Sequence, residues 1–271
     1  MPPEPAPPPD APPRSALRIA LLGLGAAIAV LAGAALIAAL VLRPRHHRHS
    51  PAPPRPHPSC PIGPTTPGID VSSYQELIDW PRVQQAGIQF AFIRVADGAT
   101  LRDPRFASNW SEARRAGVAR GAYLFFRPDQ SIAAQADLMI AAMRGRQPDD
   151  LPPVIDVEVD GGLAAPIVAA RARAWIERVR TGLGVDPIVY TNGDLWRRGG
   201  AELLGAQPLW LAHYTQGCPM VPPPWTRWTF WQHTDRGAVP GIDGAVDLDL
   251  FAGAPNELRA GPAPRAAEPA P

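Results

Sequence analysis

The chain has 271 residues, 36 of them proline, with 46% hydrophobic and 19% charged residues and a formal net charge of +1. Length and composition allow one sizeable core, and the balanced charge gives no basic face for nucleic acid. Two cysteines, Cys60 and Cys218, exclude a disulfide-rich scaffold and a zinc site built from cysteines.

In chain order, residues 1–17 form a Pro-rich tail. Residues 18–42 carry a run of 24 uncharged, mostly Ala, Leu, Ile, Val and Gly positions from Ile19 to Leu42, between Arg18 and Arg43. A hydrocarbon layer ~30 Å thick needs about 20 helical residues, so this run predicts one transmembrane helix. The rival is a cleavable signal peptide. Its apolar core would be shorter, about 7–15 residues, and would end in a small-residue cleavage site rather than Leu-Val-Leu-Arg-Pro. Residues 43–66, rich in Pro, Arg and His, predict an extended tether. Residues 254–271 form a Pro- and Ala-rich tail.

Residues 67–253 read as one domain in which strand and helix patterns alternate. "GIDVSSY" is a short apolar start that runs into turn residues. "DWPRVQQAG" predicts a helix with Asp79 at its N-cap, Pro81 in the first turn and Gly87 closing it. Strands are predicted at 88–95, 119–126, 152–159, 186–192, 208–214, 227–234 and 245–251. Between the earlier ones lie helices: "DPRFASNWSEARRAG", with Phe106, Trp110 and Ala113 on one face, then 130–145, then 165–183, with Ile167, Ala170, Ala174 and Ile176 inward. The last third carries little helix. About eight strands with intervening helices predict an α/β fold with a parallel, barrel-like sheet. Chemistry in such barrels gathers at the C-terminal strand ends, which here carry Asp70, Asp97, Phe125, Asp156, Glu158 and Tyr190.

The sharpest local signal is Val154-Ile155-Asp156-Val157-Glu158-Val159. Alternation along a strand puts Asp156 and Glu158 on one face and Ile155, Val157 and Val159 on the other. Two like charges about two strand steps apart raise the proton affinity of one of them. That separates a proton-carrying acid from an ionised partner, as glycoside hydrolysis requires. The competing readings are solvated strand-end residues or a metal site, and isolated histidines give the latter little support. Aromatics at or near strand ends (Tyr123, Phe125, Tyr190, Trp210, Tyr214, Trp225, Trp228 and Trp231) offer faces for sugar rings or pack in the core. Core packing is expected for Trp110, Trp228 and Phe230.

Eight collinear motifs carry a family resemblance: "GIDVSSYQ", "DWPRVQQAGIQFAFIRVADG", "DPRFASNWSEARRAGVARGAYLFF", "VIDVEV", "IVYTN", "LWLAHY", "WTFWQHT" and "VPGIDGAVDLDLF". Together the segment resembles glycoside hydrolase family 25, the N-acetylmuramidase lysozymes. The resemblance implies a modified (β/α) barrel of about eight strands, with fewer helices in its C-terminal third. It also implies cleavage of the β-1,4 bond between N-acetylmuramic acid and N-acetylglucosamine in peptidoglycan, without cofactor or metal, by a monomer. On matching positions, Glu158 is the general acid, Asp156 and Asp70 complete the acidic pocket, and Asp247 is the fourth carboxylate. Substrate contacts are expected from Gln75, Asp97, Tyr123, Phe125, Tyr190, Trp210, Tyr214 and Gln232. The chain departs from the family's usual Lys-x-Thr/Ser-Glu-Gly at Arg94-Val95-Ala96-Asp97-Gly98, and from its usual Tyr-His-Phe at Tyr123-Leu124-Phe125. The alternative is a catalytically silent glycan-binding module on the same tether.

Peptidoglycan lies beyond the membrane, so the N-terminus is expected in the cytoplasm and the domain outside. The arginines flanking the apolar run favour the opposite orientation. In an oxidising compartment a bond between Cys60 and Cys218 is expected, stapling the tether to the domain.

Overall fold

The computed structural model describes residues 55–259, which therefore exclude the apolar run 18–42 and the tail 1–17. Among the described residues, no helix is long and apolar enough to cross a membrane.

Eight strands form the central sheet: β2 (Thr66–Val71), β3 (Phe90–Asp97), β5 (Ala119–Phe125), β6 (Val154–Asp156), β7 (Ile188–Asn192), β8 (Leu209–Ala212), β10 (Phe230–Gly237) and β11 (Val246–Phe251). Three two-residue strands complete the numbering: β1 (His57–Pro58), β4 (Leu101–Arg102) and β9 (Met220–Val221). Parallel pairing runs β2–β3–β5–β6–β7–β8–β10, and β11 pairs with both β10 and β2, closing the barrel. The sheet is parallel, as expected, except at one strand: β11 runs antiparallel to both neighbours. The connection from β10 spans only residues 238–245, too short for the crossover that a parallel return requires.

Four helices dress the first part of the barrel: α1 (Trp80–Gln85), α2 (Phe106–Arg115), α3 (Ile132–Met143) and α4 (Ala165–Leu183). Local chemistry sets their ends. Asp79 caps α1 by accepting the Arg82 N–H at 3.2 Å, with Pro81 in the first turn, and Gly87 follows at a φ of 94°. Ser131 caps α3 by accepting the Ala134 N–H at 3.3 Å. α4 ends at Gly184, which takes the left-handed conformation.

The inward face of α4 differs from the expected one. Val168, Ala169, Ala172, Trp175, Ile176 and Val179 are buried, while Ile167, Ala170 and Ala174 lie outward. The alanines on both sides weigh little. Trp175 and Val179 carry the larger apolar surfaces, and burying them turns the helix.

The barrel interior is filled rather than open. Phe90, Phe92, Tyr190, Trp210, Phe230 and Phe251 form an aromatic plug, with Phe92 stacked on Trp210 at 4.4 Å between centroids and Phe230 edge-on to Phe92 at 5.1 Å. Two glycines make room for it. A Cβ on Gly68 would meet the Phe90 ring at 2.3 Å, and one on Gly121 the Phe92 ring at 2.5 Å. Gly68→Ala is therefore expected to destabilise the fold by about 1–3 kcal/mol through overpacking, read as a lowered urea midpoint at unchanged slope. Outside the plug, a second apolar layer between sheet and helices buries Ile155, Val157, Trp225, Trp228 and Trp231.

The structured body extends past both expected domain limits. At the front, β1 pairs antiparallel with β9 and Cys60 is disulfide-bonded to Cys218, with 4.7 Å between their Cα atoms. Pro-rich backbone is already extended, so a spacer-like composition does not prevent pairing along a sheet edge. At the back, a short helix α5 (Pro255–Arg259) buries Leu258 against the plug.

Candidate active site

The plug's upper aromatics, Tyr123, Tyr190 and Trp210, floor a cavity of about 260 Å³ at the C-terminal ends of the parallel strands. Its walls follow from the pairing order. Asp70 lies near the end of β2, Tyr123 and Phe125 lie in the last residues of β5, Asp156 ends β6, Tyr190 lies on β7, Trp210 on β8, Gln232 on β10 and Asp247 on β11. Asp247 sits directly across the ladder from Asp70. Gln75 reaches in from the single 3-10 turn Ser73–Gln75 and Tyr214 from the loop after β8.

The expected strand through Glu158 is shorter in the structure. β6 ends at Asp156, although Val157 N–H still bonds the Tyr190 carbonyl at 2.9 Å. The alternation survives that ending, since Asp156 and Glu158 both line the cavity while Ile155 and Val157 are buried on the opposite side. Val159 is only half-buried.

Asp97 is the expected contact that the structure does not bring into this cavity. The Arg127 guanidinium holds it in a two-pronged pair, Nε to Oδ1 at 2.6 Å and Nη2 to Oδ2 at 2.8 Å, and also lies 4.4 Å over the Phe125 ring. A strand-end position puts Asp97 on the rim, but the neighbouring arginine engages both of its oxygens. Trp225, Trp228 and Trp231 belong to the outer apolar layer and likewise do not line it.

A polar network fixes the floor. Gln232 Nε2 donates to Asp70 Oδ2 at 2.7 Å, and its Oε1 accepts from the hydroxyls of Tyr190 and Tyr214, each at 2.9 Å. Gln232 thus ties Asp70 to both tyrosines. Gln232→Leu keeps the volume but removes all three bonds, and is expected to cost about 1–3 kcal/mol for each buried partner left unsatisfied, measured by chemical denaturation. Gln75 is similarly engaged. Its Oε1 accepts the Ser72 N–H at 2.9 Å, closing a capping box around the turn Ser73–Gln75.

Three residues outside the expected set shape the site. Arg94 lines the cavity and is held by Asp103 at 3.0 Å beneath the exposed Tyr74 ring, which itself lines the opening. Asp249, 1% exposed, accepts the Trp210 Nε1–H at 2.8 Å, and its Oδ2 has no hydrogen-bond partner among the described residues. Both were legible in kind: Arg94 is the lone charge within an apolar strand. Asp249 repeats at Asp247-Leu248-Asp249 the two-residue spacing of Asp156 and Glu158.

Four carboxyls therefore line one rim with Asp249 buried beneath it, and the proton affinities of all five are raised. Burial raises Asp70 well above the ordinary carboxylate range, helped by the charges of Asp249 and Asp247 and opposed by the Gln232 bond. Asp156, 5% exposed with no hydrogen-bond partner for its Oδ1 among the described residues, is raised by burial and then by Glu158, against the pull of Arg94 and Arg127. Glu158, less deeply buried, is raised by burial and then by Asp247, against Arg127. Asp247 and Asp249 are raised chiefly by burial. Asp156 and Glu158 form a pair that retains a proton well above the pH at which an isolated carboxyl gives it up.

A closed barrel of mostly parallel strands, with coupled carboxyls above an aromatic floor, defines a hydrolase of glycosidic bonds in architecture and chemistry. The profile of glycosyl hydrolases family 25 matches residues 69–242, and the chain belongs to that family and is a glycoside hydrolase. It is 40% identical over 198 residues to the uncharacterized protein YegX of Escherichia coli (strain K12), covering 71% of this chain and 72% of that one. It is 36% identical over 205 residues to Lysozyme M1 of Streptomyces globisporus, covering 71% and 70%. Among solved structures, the bacterial lysozyme from Streptomyces coelicolor superposes with a TM-score of 0.68 at 32% identity, covering 73% of this chain and 99% of that one.

Proposed function

We propose that this chain is a peptidoglycan muramidase that hydrolyses the β-1,4 bond between N-acetylmuramic acid and N-acetylglucosamine, with Glu158 as general acid. The observation that carries this reading is the coupled pair Asp156 and Glu158 above a floor of Tyr190 and Trp210. Glu158 gives its proton to the leaving glycosidic oxygen. Asp156 supplies negative charge beneath the sugar ring as it becomes cationic, and water adds its OH to the anomeric carbon while its other proton passes to the rim carboxylates, restoring the acid. The positive charges of Arg94 and Arg127 oppose the rise in the proton affinity of Asp156. The likeness to a lysozyme in both sequence and structure supports the choice of substrate.

The apolar run 18–42 anchors the enzyme as a single-pass membrane protein, with the N-terminus in the cytoplasm and the barrel on the outer side, where its substrate lies. The Pro-rich tether confines the barrel near the wall. Two measurements test this reading together. Purified sacculi should lose turbidity and release reducing sugar when treated with the protein. The barrel should also be digested by protease added to intact spheroplasts. Sacculi left unaltered would refute the activity, and a protected barrel would refute the orientation.

A further inference from the structure

A second cavity, of about 760 Å³, shares Glu158, Tyr190 and Tyr214 with the acid pocket and so opens onto the same acid. Its far side contains Pro56, which belongs to the tether by composition. A spacer needs no fixed course, yet this one is stitched down over a few residues. His57 and Pro58 pair with Val221 and Met220. Ser59 N–H bonds the Pro219 carbonyl at 3.0 Å, and the Ser59 carbonyl accepts the Trp228 Nε1–H at 2.8 Å. Cys60 is bonded to Cys218.

We infer that the segment Arg55–Cys60 is a wall of the substrate groove, and that a neutral N-acetylated sugar unit beyond the scissile bond lies between it and the loop His213–Met220. This rests on the muramidase reading and extends it to a part of the chain outside the family match.

The lining chemistry selects that ligand. Pro56, Ala212 and Met220, the last 40% exposed, offer apolar surface for a sugar's C–H face. His213 Nδ1 accepts the Met220 N–H at 3.0 Å, so in the neutral ring Nε2 carries the proton and is a donor. Asn192 Oδ1 accepts the backbone N–H groups of Asp194 and Leu195, at 3.2 and 3.3 Å, so what it gives a ligand comes from its amide nitrogen. Asp194 and Glu158 add carboxylates to this lining, and it holds no arginine among the described residues, so an anionic group is disfavoured. The neutral donors and apolar faces suit the hydroxyl and acetamido groups of an uncharged sugar.

The test compares two probes on the full-length chain: peptide-free peptidoglycan glycan strands, and the disaccharide of N-acetylglucosamine and N-acetylmuramic acid. Binding is followed calorimetrically for the unaltered protein, for Pro56→Asp and for the double variant Cys60→Ser/Cys218→Ser. Pro56 is exposed, so Pro56→Asp leaves the thermal midpoint in place while setting a charge on the wall. Strand affinity is expected to fall about three- to tenfold in both variants, and disaccharide affinity to stay within about twofold. Strands bound as tightly by Pro56→Asp as by the unaltered protein would overturn the inference, and so would an equal loss for both probes in that variant. Strap-dependent strand binding without release of reducing ends would uphold the wall and fail only the hydrolase reading.

Discussion

Replacing Glu158 by glutamine is expected to lower the turnover of peptidoglycan glycan by ~10²–10⁴-fold, the range that a positioned general acid contributes. Glu158 stands where the two cavities meet, and burial together with the Asp247 charge holds its proton to higher pH than an isolated glutamate keeps it. Glutamine preserves the size and most of the hydrogen bonding but has no proton to give. Thermal melting and glycan binding should therefore stay close to those of the unaltered protein, so the loss falls on the chemical step. Near-normal turnover by the variant would remove Glu158 from the mechanism.

The second large effect is expected from Asp156→Asn, with turnover reduced by ~10²–10³-fold as the charge that stabilises the cationic sugar is lost. The pH profile gives a separate reading. The Glu158 charge raises the proton affinity of Asp156, and an electrostatic coupling acts in both directions, so an ionised Asp156 is expected to do the same for Glu158. Activity is lost as pH rises through the value at which Glu158 gives up its proton. A neutral asparagine at 156 lowers that value, so the upper limb of the residual rate profile should move to lower pH. An unmoved limb would show that the two carboxyls titrate independently.

Much of the site was legible before the fold because the strands report their own alternation. Asp156 and Glu158 could be placed on one face from Ile155, Val157 and the spacing alone, and they line one cavity even though β6 stops at Asp156. The helix ends were equally local: Asp79, Pro81 and Gly87 mark α1 by capping and backbone preference. What escaped depended on partners distant in the chain. Asp97 looks like a rim acid until Arg127, 30 residues on, engages both of its oxygens. The reversal of β11 comes from a connection too short to cross the barrel, and that matters only once β10 and β11 are known to be neighbours. The face of α4 was ambiguous because alanines flank both candidate stripes, and the packing of Trp175 decides it. Asp249 was passed over at a spacing already recognised elsewhere, because its role under Trp210 needs the β8, β10 and β11 register to be seen.

The most direct measurement is the identity of the new sugar end. Sacculi digested with the full-length protein are reduced with borohydride, and the released muropeptides are read by mass spectrometry. If the rim carboxyls perform the proposed hydrolysis, the soluble products carry reduced N-acetylmuramic acid at every new end, and Glu158→Gln yields none above background. Products ending in reduced N-acetylglucosamine, or in a 1,6-anhydro sugar with no reducible end, would contradict the assignment.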